Sequence, residues 1–234
     1  MNKRYWSIIL LYIVAQVLSV VIPLTIFATT GNRDASMVVY VNVIVFLLAV
    51  VGSLLILKKN LQEEKLSHPL PLGKIIGWTA LGIVLAWGAQ LIAILIETNL
   101  LGINEGSENT ESIIDITRMN PLFFIIPVFT APILEELIFR KIIFGTLYKR
   151  MNFFLAVLIS SFLFGVLHLE LQHILIYFAM GVALAYVYVK TKRIIVPILV
   201  HMGMNALVVI SQLAIPAEEL EKIQQDVSLI LFGG

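Results

Sequence analysis

Residues 121–150 read PLFFIIPVFTAPILEELIFRKIIFGTLYKR, which sets Glu135, Glu136, Arg140 and Lys141 between two apolar stretches. Whether this segment crosses a bilayer decides the fold. Read as one helix from Pro121 to Tyr148 that meets water at Lys149, it exceeds the ~20 helical residues needed to span a ~30 Å hydrocarbon core. Its ionisable groups then lie inside the membrane, where they are costly and turn toward a bundle interior or a wet cavity. Pro127 and Pro132 are expected to kink it.

The rest of the chain agrees with a membrane setting. Of 234 residues, 59% are hydrophobic and 13% charged, and the mean hydropathy is +0.97, far from the balance of a soluble domain. Apolar runs of spanning size occur at Trp6 to Ala28, Met37 to Leu57 and Ile75 to Ile96. Shorter or interrupted ones follow at Phe153 to Leu169, Ile174 to Val189 and Ile194 to Ile215. The expected fold is therefore all-α: a polytopic transmembrane helical bundle of about seven spans, with the active site suggested among the later helices by the polar residues described below. Residues 1–60 form an N-terminal two-span unit and 61–74, with Pro69 and Pro71, a cytoplasmic linker. Residues 75–216 form a catalytic transmembrane core and 217–234 a tail, whose apolar end from Val227 to Phe232 is too short to cross. The first segment opens after Lys3 and Arg4 like a secretory signal, but its run is too long and lacks an A-x-A site, so it reads as a retained anchor.

Positive charge orients the spans. Lys3 and Arg4, then Lys58, Lys59, Lys65 and Lys74, then Lys149 and Arg150, then Lys190, Lys192 and Arg193 fall on one side, which is expected to be cytoplasmic. The other side receives Arg33, Arg118 and Lys222 with an acidic loop holding Glu97, Glu105, Glu108, Glu111 and Asp115. The N-terminus is then inside and the C-terminus outside. Sixteen Lys and Arg against fifteen Asp and Glu give a net charge of +1, which argues against nucleic acid as a partner. With no cysteine there is no disulfide, thiol nucleophile or iron–sulfur cluster, so any chemistry rests on His, carboxylate, Ser or amide groups.

Few polar residues lie within the spans. Glu136 and Arg140 are i and i+4 on one helical face, so the arginine can neutralise that glutamate, while Glu135 points about 100° away. A carboxylate without a fixed counter-ion is free to meet another helix and act as a general base. His168 and Glu170 end the fifth span; His201 and Asn205, at i and i+4, share a face of the last. At 1.5 Å per residue Glu135 stands ~21 Å above the cytoplasmic boundary, His168 ~25 Å, His201 ~12 Å and Asn205 ~18 Å. One thick layer contains all four, provided that Arg140 is intramembrane. His68 and His173 read as solvated loop residues and Glu170 as interfacial. Trp6, Trp78 and Tyr148 read as interface anchors, and Gly77, Gly82 and Gly88 as helix-packing sites.

Three short motifs follow in order: EELIFR (135–140) matches EExxxR, FGVLH (164–168) matches FxxxH, and HMGMN (201–205) matches HxxxN. Together they resemble the CAAX-protease and bacteriocin-processing (CPBP or Abi) family of intramembrane endopeptidases, over roughly Pro121 to Ile215. The resemblance implies that Glu135 activates water with help from His168, and that His201 and Asn205 stabilise the tetrahedral oxyanion. Glu136, Arg140 and Phe164 are the supporting motif residues. A metal-dependent variant would use Glu135, His168 and His201 as ligands, with zinc the candidate ion and an open coordination position; no HExxH strengthens that option. Seven expected spans depart from the eight of the best-known members.

The implied activity is hydrolysis of a peptide bond in a membrane-associated substrate: a leader peptide, a pheromone or a prenylated tail, in a multi-pass protein of the bacterial plasma membrane. An aspartyl intramembrane protease needs two membrane aspartates, whereas Asp34, Asp115 and Asp226 lie in loops or the tail. A rhomboid needs a serine in a Gly-x-Ser context, which Ser160 and Ser161 lack. Two non-proteolytic readings use the same residues: a peptide-toxin immunity or scaffold protein, and a proton-coupled transporter.

Overall fold

The structure is a computed structural model that describes residues 3–103 and 106–214. Glu105, Lys222 and the tail from 217 lie outside the described residues. Among the described residues there is no strand, and six helices are long and apolar enough to cross a membrane. They are α1 (Lys3–Thr30), α2 (Ala35–Ser67), α3 (Leu72–Leu101), α5 (Pro121–Leu147), α7 (Leu171–Thr191) and α8 (Ile195–Ala214). Between them lie α4 (Glu108–Met119) and α6 (Phe153–Leu167). The all-α polytopic bundle is as expected. The seventh expected span is α6, whose 15 residues rise only ~22 Å.

Two boundaries differ from the sequence reading. Helix α2 continues through the first seven residues of the expected linker to Ser67, so the non-helical link is 68–71. Helix α3 does not stop at Ile96 but runs to Leu101, where Gly102 adopts φ 70° and its N–H bonds back to the Glu97 carbonyl. A glycine in the left-handed region is the usual helix stop, so the true end was marked in the sequence six residues beyond the apolar run. The expected acidic loop is largely helical too. Ser107 caps α4 by accepting from the Thr110 N–H, Glu108 and Glu111 sit in its first turn and Arg118 in its last. That charge order suits the helix dipole and was the legible signal.

Packing is closest where side chains are small. A Cβ on Gly181 of α7 would come within 2.8 Å of Ser161 on α6, and one on Gly82 of α3 within 2.5 Å of Val200 on α8. Gly82 is thus a packing site as expected, but Gly77 and Gly88 have nothing within 4 Å and are not. The outer faces of α1, α2, α3 and α6 expose large apolar residues such as Leu10, Leu48, Ile92 and Phe154, as a lipid-facing surface must. The largest core joins Ile8, Tyr12 and Ala15 of α1 and Phe46 and Leu57 of α2 to Leu134, Leu137 and Ile142 of α5. The first two helices therefore pack directly on the segment that carries the glutamates.

Candidate active site

Helix α5 is irregular around the EELIFR motif, and its prolines explain part of this. Residues Ile126–Thr130 and Leu137–Phe144 are wound as π-helix, flanking an α-helical turn at Ala131–Glu136. In the first π segment the Ala131 N–H bonds to the Ile126 carbonyl, five residues back. By the same register the Pro127 carbonyl should bond to the N–H of residue 132, which is a proline and has none. Asn205 of α8 fills the gap: its Nδ2 donates to the Pro127 carbonyl at 2.8 Å. In the second π segment the Phe139 carbonyl accepts from Ser160 Oγ of α6 at 3.3 Å.

The π turns bring both glutamates against α8. Glu136 and Arg140 are fully buried, and Arg140 Nε lies 3.1 Å from Glu136 Oε2, the pairing expected from their spacing. The contact is an ion pair rather than a well-aligned hydrogen bond, since no guanidinium nitrogen finds a hydrogen-bond partner among the described residues. Phe164 supplies the remaining support, its ring 4.4 Å from the Arg140 guanidinium carbon. The same ring packs edge-on against His168 at 4.7 Å and His201 at 5.9 Å, so the motif phenylalanine is the hub on which three polar side chains rest.

His201 joins the two glutamates, a link that sequence spacing did not reveal. Its Nδ1 lies 3.0 Å from Glu136 Oε1 and its Nε2 lies 3.8 Å from Glu135 Oε2. An ionised carboxylate only accepts, so Nδ1 carries the proton and Nε2 faces Glu135. Glu135 is therefore not without a neighbour, but its contact is longer than those of Glu136 and its side chain keeps 13% exposure. For His168, Nδ1 donates to the Phe164 carbonyl at 2.8 Å, which leaves Nε2 for other partners. Tyr177 of α7 stacks on the His168 ring, centroids 3.9 Å apart.

Glu135, His168, His201 and Asn205 all line one cavity of about 500 Å³. Tyr12 and Gln16 of α1, Phe46 of α2 and Gln90 of α3 complete it on the side of the N-terminal helices. Among the described residues no three His, Cys, Asp or Glu side chains are grouped as a metal ion requires.

With this geometry the similarity of the chain to known proteins takes on meaning. Residues 117–207 match the type II CAAX prenyl endopeptidase Rce1-like family. The chain is 43% identical to YdiL of Bacillus subtilis (strain 168), named as a candidate membrane peptidase, over 100% of this chain and 99% of that one. It is 35% identical to the membrane-embedded CAAX protease MroQ of Staphylococcus aureus (strain USA300), over 97% of each. The chain belongs to the CAAX-protease (CPBP or Abi) family. It is a multi-pass intramembrane hydrolase of the protease type, with bacterial relatives, as the three motifs implied. No solved structure matches it significantly.

The end of the CAAX-protease cavity near α4 and the turn before α7 holds polar residues that the motifs do not include. His173 is not a solvated loop residue: it is 4% exposed, with Nδ1 2.9 Å from Glu97 Oε2 and Nε2 3.4 Å from the Gly106 carbonyl. Glu97, read as part of an acidic loop, lies within α3 and is 2% exposed. Glu170 accepts from the Asn109 N–H and Ser107 Oγ, each at 2.8 Å, and from the Tyr177 hydroxyl. It is turned that way because Leu169, at φ 59°, reverses the chain after α6. Burial pushes the Glu170 carboxyl up, but the hydrogen bonds from Asn109, Tyr177 and Ser107, with His173 nearby, outweigh it and hold the group below its ordinary value of 4.5. One carboxylate thus ties the start of α4 to the turn before α7, directly over the cavity.

Proposed function

We propose that this cavity is where a membrane-associated peptide is cleaved, by water activated between Glu135 and His168. The observation that carries the reading is the convergence of Glu135, His168, His201 and Asn205 on one cavity from α5, α8 and the turn after α6. A water oxygen attacks the scissile carbonyl carbon while Glu135 takes its proton, and His168 Nε2 orients that water as an acceptor. Asn205 uses one amide N–H on Pro127 and has a second for the developing oxyanion, with His201 one turn away on the same face of α8. The proton held by Glu135 passes to the departing amine as the C–N bond breaks. Glu136, pinned by Arg140 and His201, holds the imidazole in place. Zinc is the alternative source of activated water, with Glu135, His168 and His201 as its candidate ligands.

Leader peptides and peptide pheromones are the substrates we favour over prenylated tails, in keeping with the chain's bacterial relatives. The Lys and Arg of the loops around 58–74, 149–152 and 190–193 support a cytoplasmic N-terminus in this reading. Purified full-length chain should cleave a quenched apolar peptide in detergent, and Glu135→Gln should lower the rate by about 10²-fold or more. Cleavage should persist with a chelator present. A parental rate for Glu135→Gln sinks the mechanism, and loss of cleavage with chelator, restored by zinc, replaces it with the metal one.

A further inference from the structure

A second cavity, of about 400 Å³, lies at the opposite end of the bundle, between α2 and the turn joining α7 to α8. Along α2 its wall is formed by Leu54, Lys58, Leu61 and Lys65, at i, i+4, i+7 and i+11, so that two leucines and two lysines lie in one stripe. Across from them stand Arg193 and, beneath, the apolar side chains of Leu137 and Ile198. Lys192 enters this turn in the left-handed region, at φ 52°, and Arg193 is held in place by donating from Nη1 to the His68 carbonyl at 3.3 Å.

The pocket contains one carboxylate, and it is already committed. Glu64 Oε2 is paired with Lys141 Nζ, and Glu64 Oε1 accepts the Ile194 N–H at 2.7 Å, one of the donors that the start of α8 leaves open. Lys141 is 7% exposed, so its charge is spent inside on Glu64. Lys58 and Lys65 make no ion pair among the described residues. The result is three cationic groups at the rim of a slot floored by hydrocarbon, at the end of the bundle where α2 passes from its apolar run into charged residues. A free anion would account for the cations but not for the slot, and a neutral lipid for the slot but not for the cations.

We propose that this pocket binds an anionic phospholipid, its headgroup phosphate between Lys58, Lys65 and Arg193 and its acyl chains passing along Leu54 into the bilayer. The site is separate from the peptide-cleaving cavity and its occupancy does not depend on the mechanism above.

The test is native mass spectrometry of the full chain released from detergent, titrated with phosphatidylglycerol or with phosphatidylcholine of the same acyl chains. The parent should retain one phosphatidylglycerol in preference to phosphatidylcholine. Changing Lys58, Lys65 and Arg193 together to Gln should weaken that retention by about fivefold per cation, on the order of a hundredfold in all. Changing Lys59, Lys74 and Lys149 to Gln removes as much charge from the same face and should leave retention intact. Leu54→Trp, which obstructs the slot without altering charge, should also reduce it and serves if the triple variant does not fold. Equal retention of the two lipids overturns the proposal. So does equal loss in the control triple, displacement by millimolar inorganic phosphate, or full retention by Leu54→Trp.

Discussion

Glu135 and Glu136 are adjacent in the chain, yet Arg140 Nε and His201 Nδ1 stand 3.1 and 3.0 Å from Glu136, while the ion pair of Glu135 with His201 Nε2 is longer, at 3.8 Å. The first consequence is a division of labour that a stability measurement reads directly. Glu136→Gln leaves the fully buried Arg140 without its counter-charge, and removing one partner of a buried ion pair costs about 3–5 kcal/mol. Its thermal midpoint in detergent should fall well below the parent's. Glu135→Gln removes no hydrogen bond made among the described residues and should melt close to the parent. Replacing Glu136 and Arg140 together by Gln and Met should recover part of the loss, because no buried charge is then left alone. A Glu136→Gln protein as stable as the parent would show that the Arg140 charge is compensated elsewhere.

Helix α5 shows how an element can be shaped by hydrogen bonds that it lacks. Asn205 stands in for the N–H that Pro132 does not have, so Asn205→Ala should leave the Pro127 carbonyl unpaired at a cost of about 1–3 kcal/mol. Adding Pro132→Ala to that variant returns an N–H in the π register and should restore much of the stability. If Pro132→Ala gives no recovery in the Asn205→Ala background, the carbonyl is satisfied some other way and the account of the π turn fails. Asn205 is thereby both a scaffold for α5 and a donor into the cavity, two roles that the HxxxN spacing cannot separate. The tie between α4 and the turn before α7 is a pH-dependent element. The Glu170 carboxyl is held below its ordinary value in the fold, so the stability it lends is fully present above that value and is lost as pH falls through the lower, folded one. The protection factor of the Asn109 amide against hydrogen exchange should fall on acidification below about pH 4.5. Glu170→Gln should flatten that dependence, and a parental pH response in this variant would assign it to another group.

At the scale of the molecule, the Lys and Arg of the loops predict one orientation for the seven apolar helices. The chain has no cysteine of its own, so single cysteines at Asn60 and Ser112 report topology without background. In intact cells an impermeant thiol reagent should label Ser112→Cys and leave Asn60→Cys unmodified; labelling of Asn60→Cys from outside would invert the orientation. The sequence alone determined the class of fold and the motif constellation. Apolar runs of spanning length admit only helices in lipid, and an intramembrane Glu, His or Asn is too costly to be placed idly, so both were readable from local pattern. The spacing of Glu136 and Arg140 likewise foretold their pairing, because neighbours on one helix need no tertiary information. The tertiary structure alone decided what those helices do to one another. Nothing local to His201 indicates that its ring spans both glutamates, and nothing near His168 places Tyr177 upon it. Neither Glu97 nor His173 carries a spacing that announces their buried pairing, 76 residues apart. Nor does the run of Pro127 and Pro132 say that Asn205 will supply the missing donor. Each of these contacts joins side chains from different helices, and their partners are selected by how the helices cross and where π turns rotate them, not by the order of residues along any one helix.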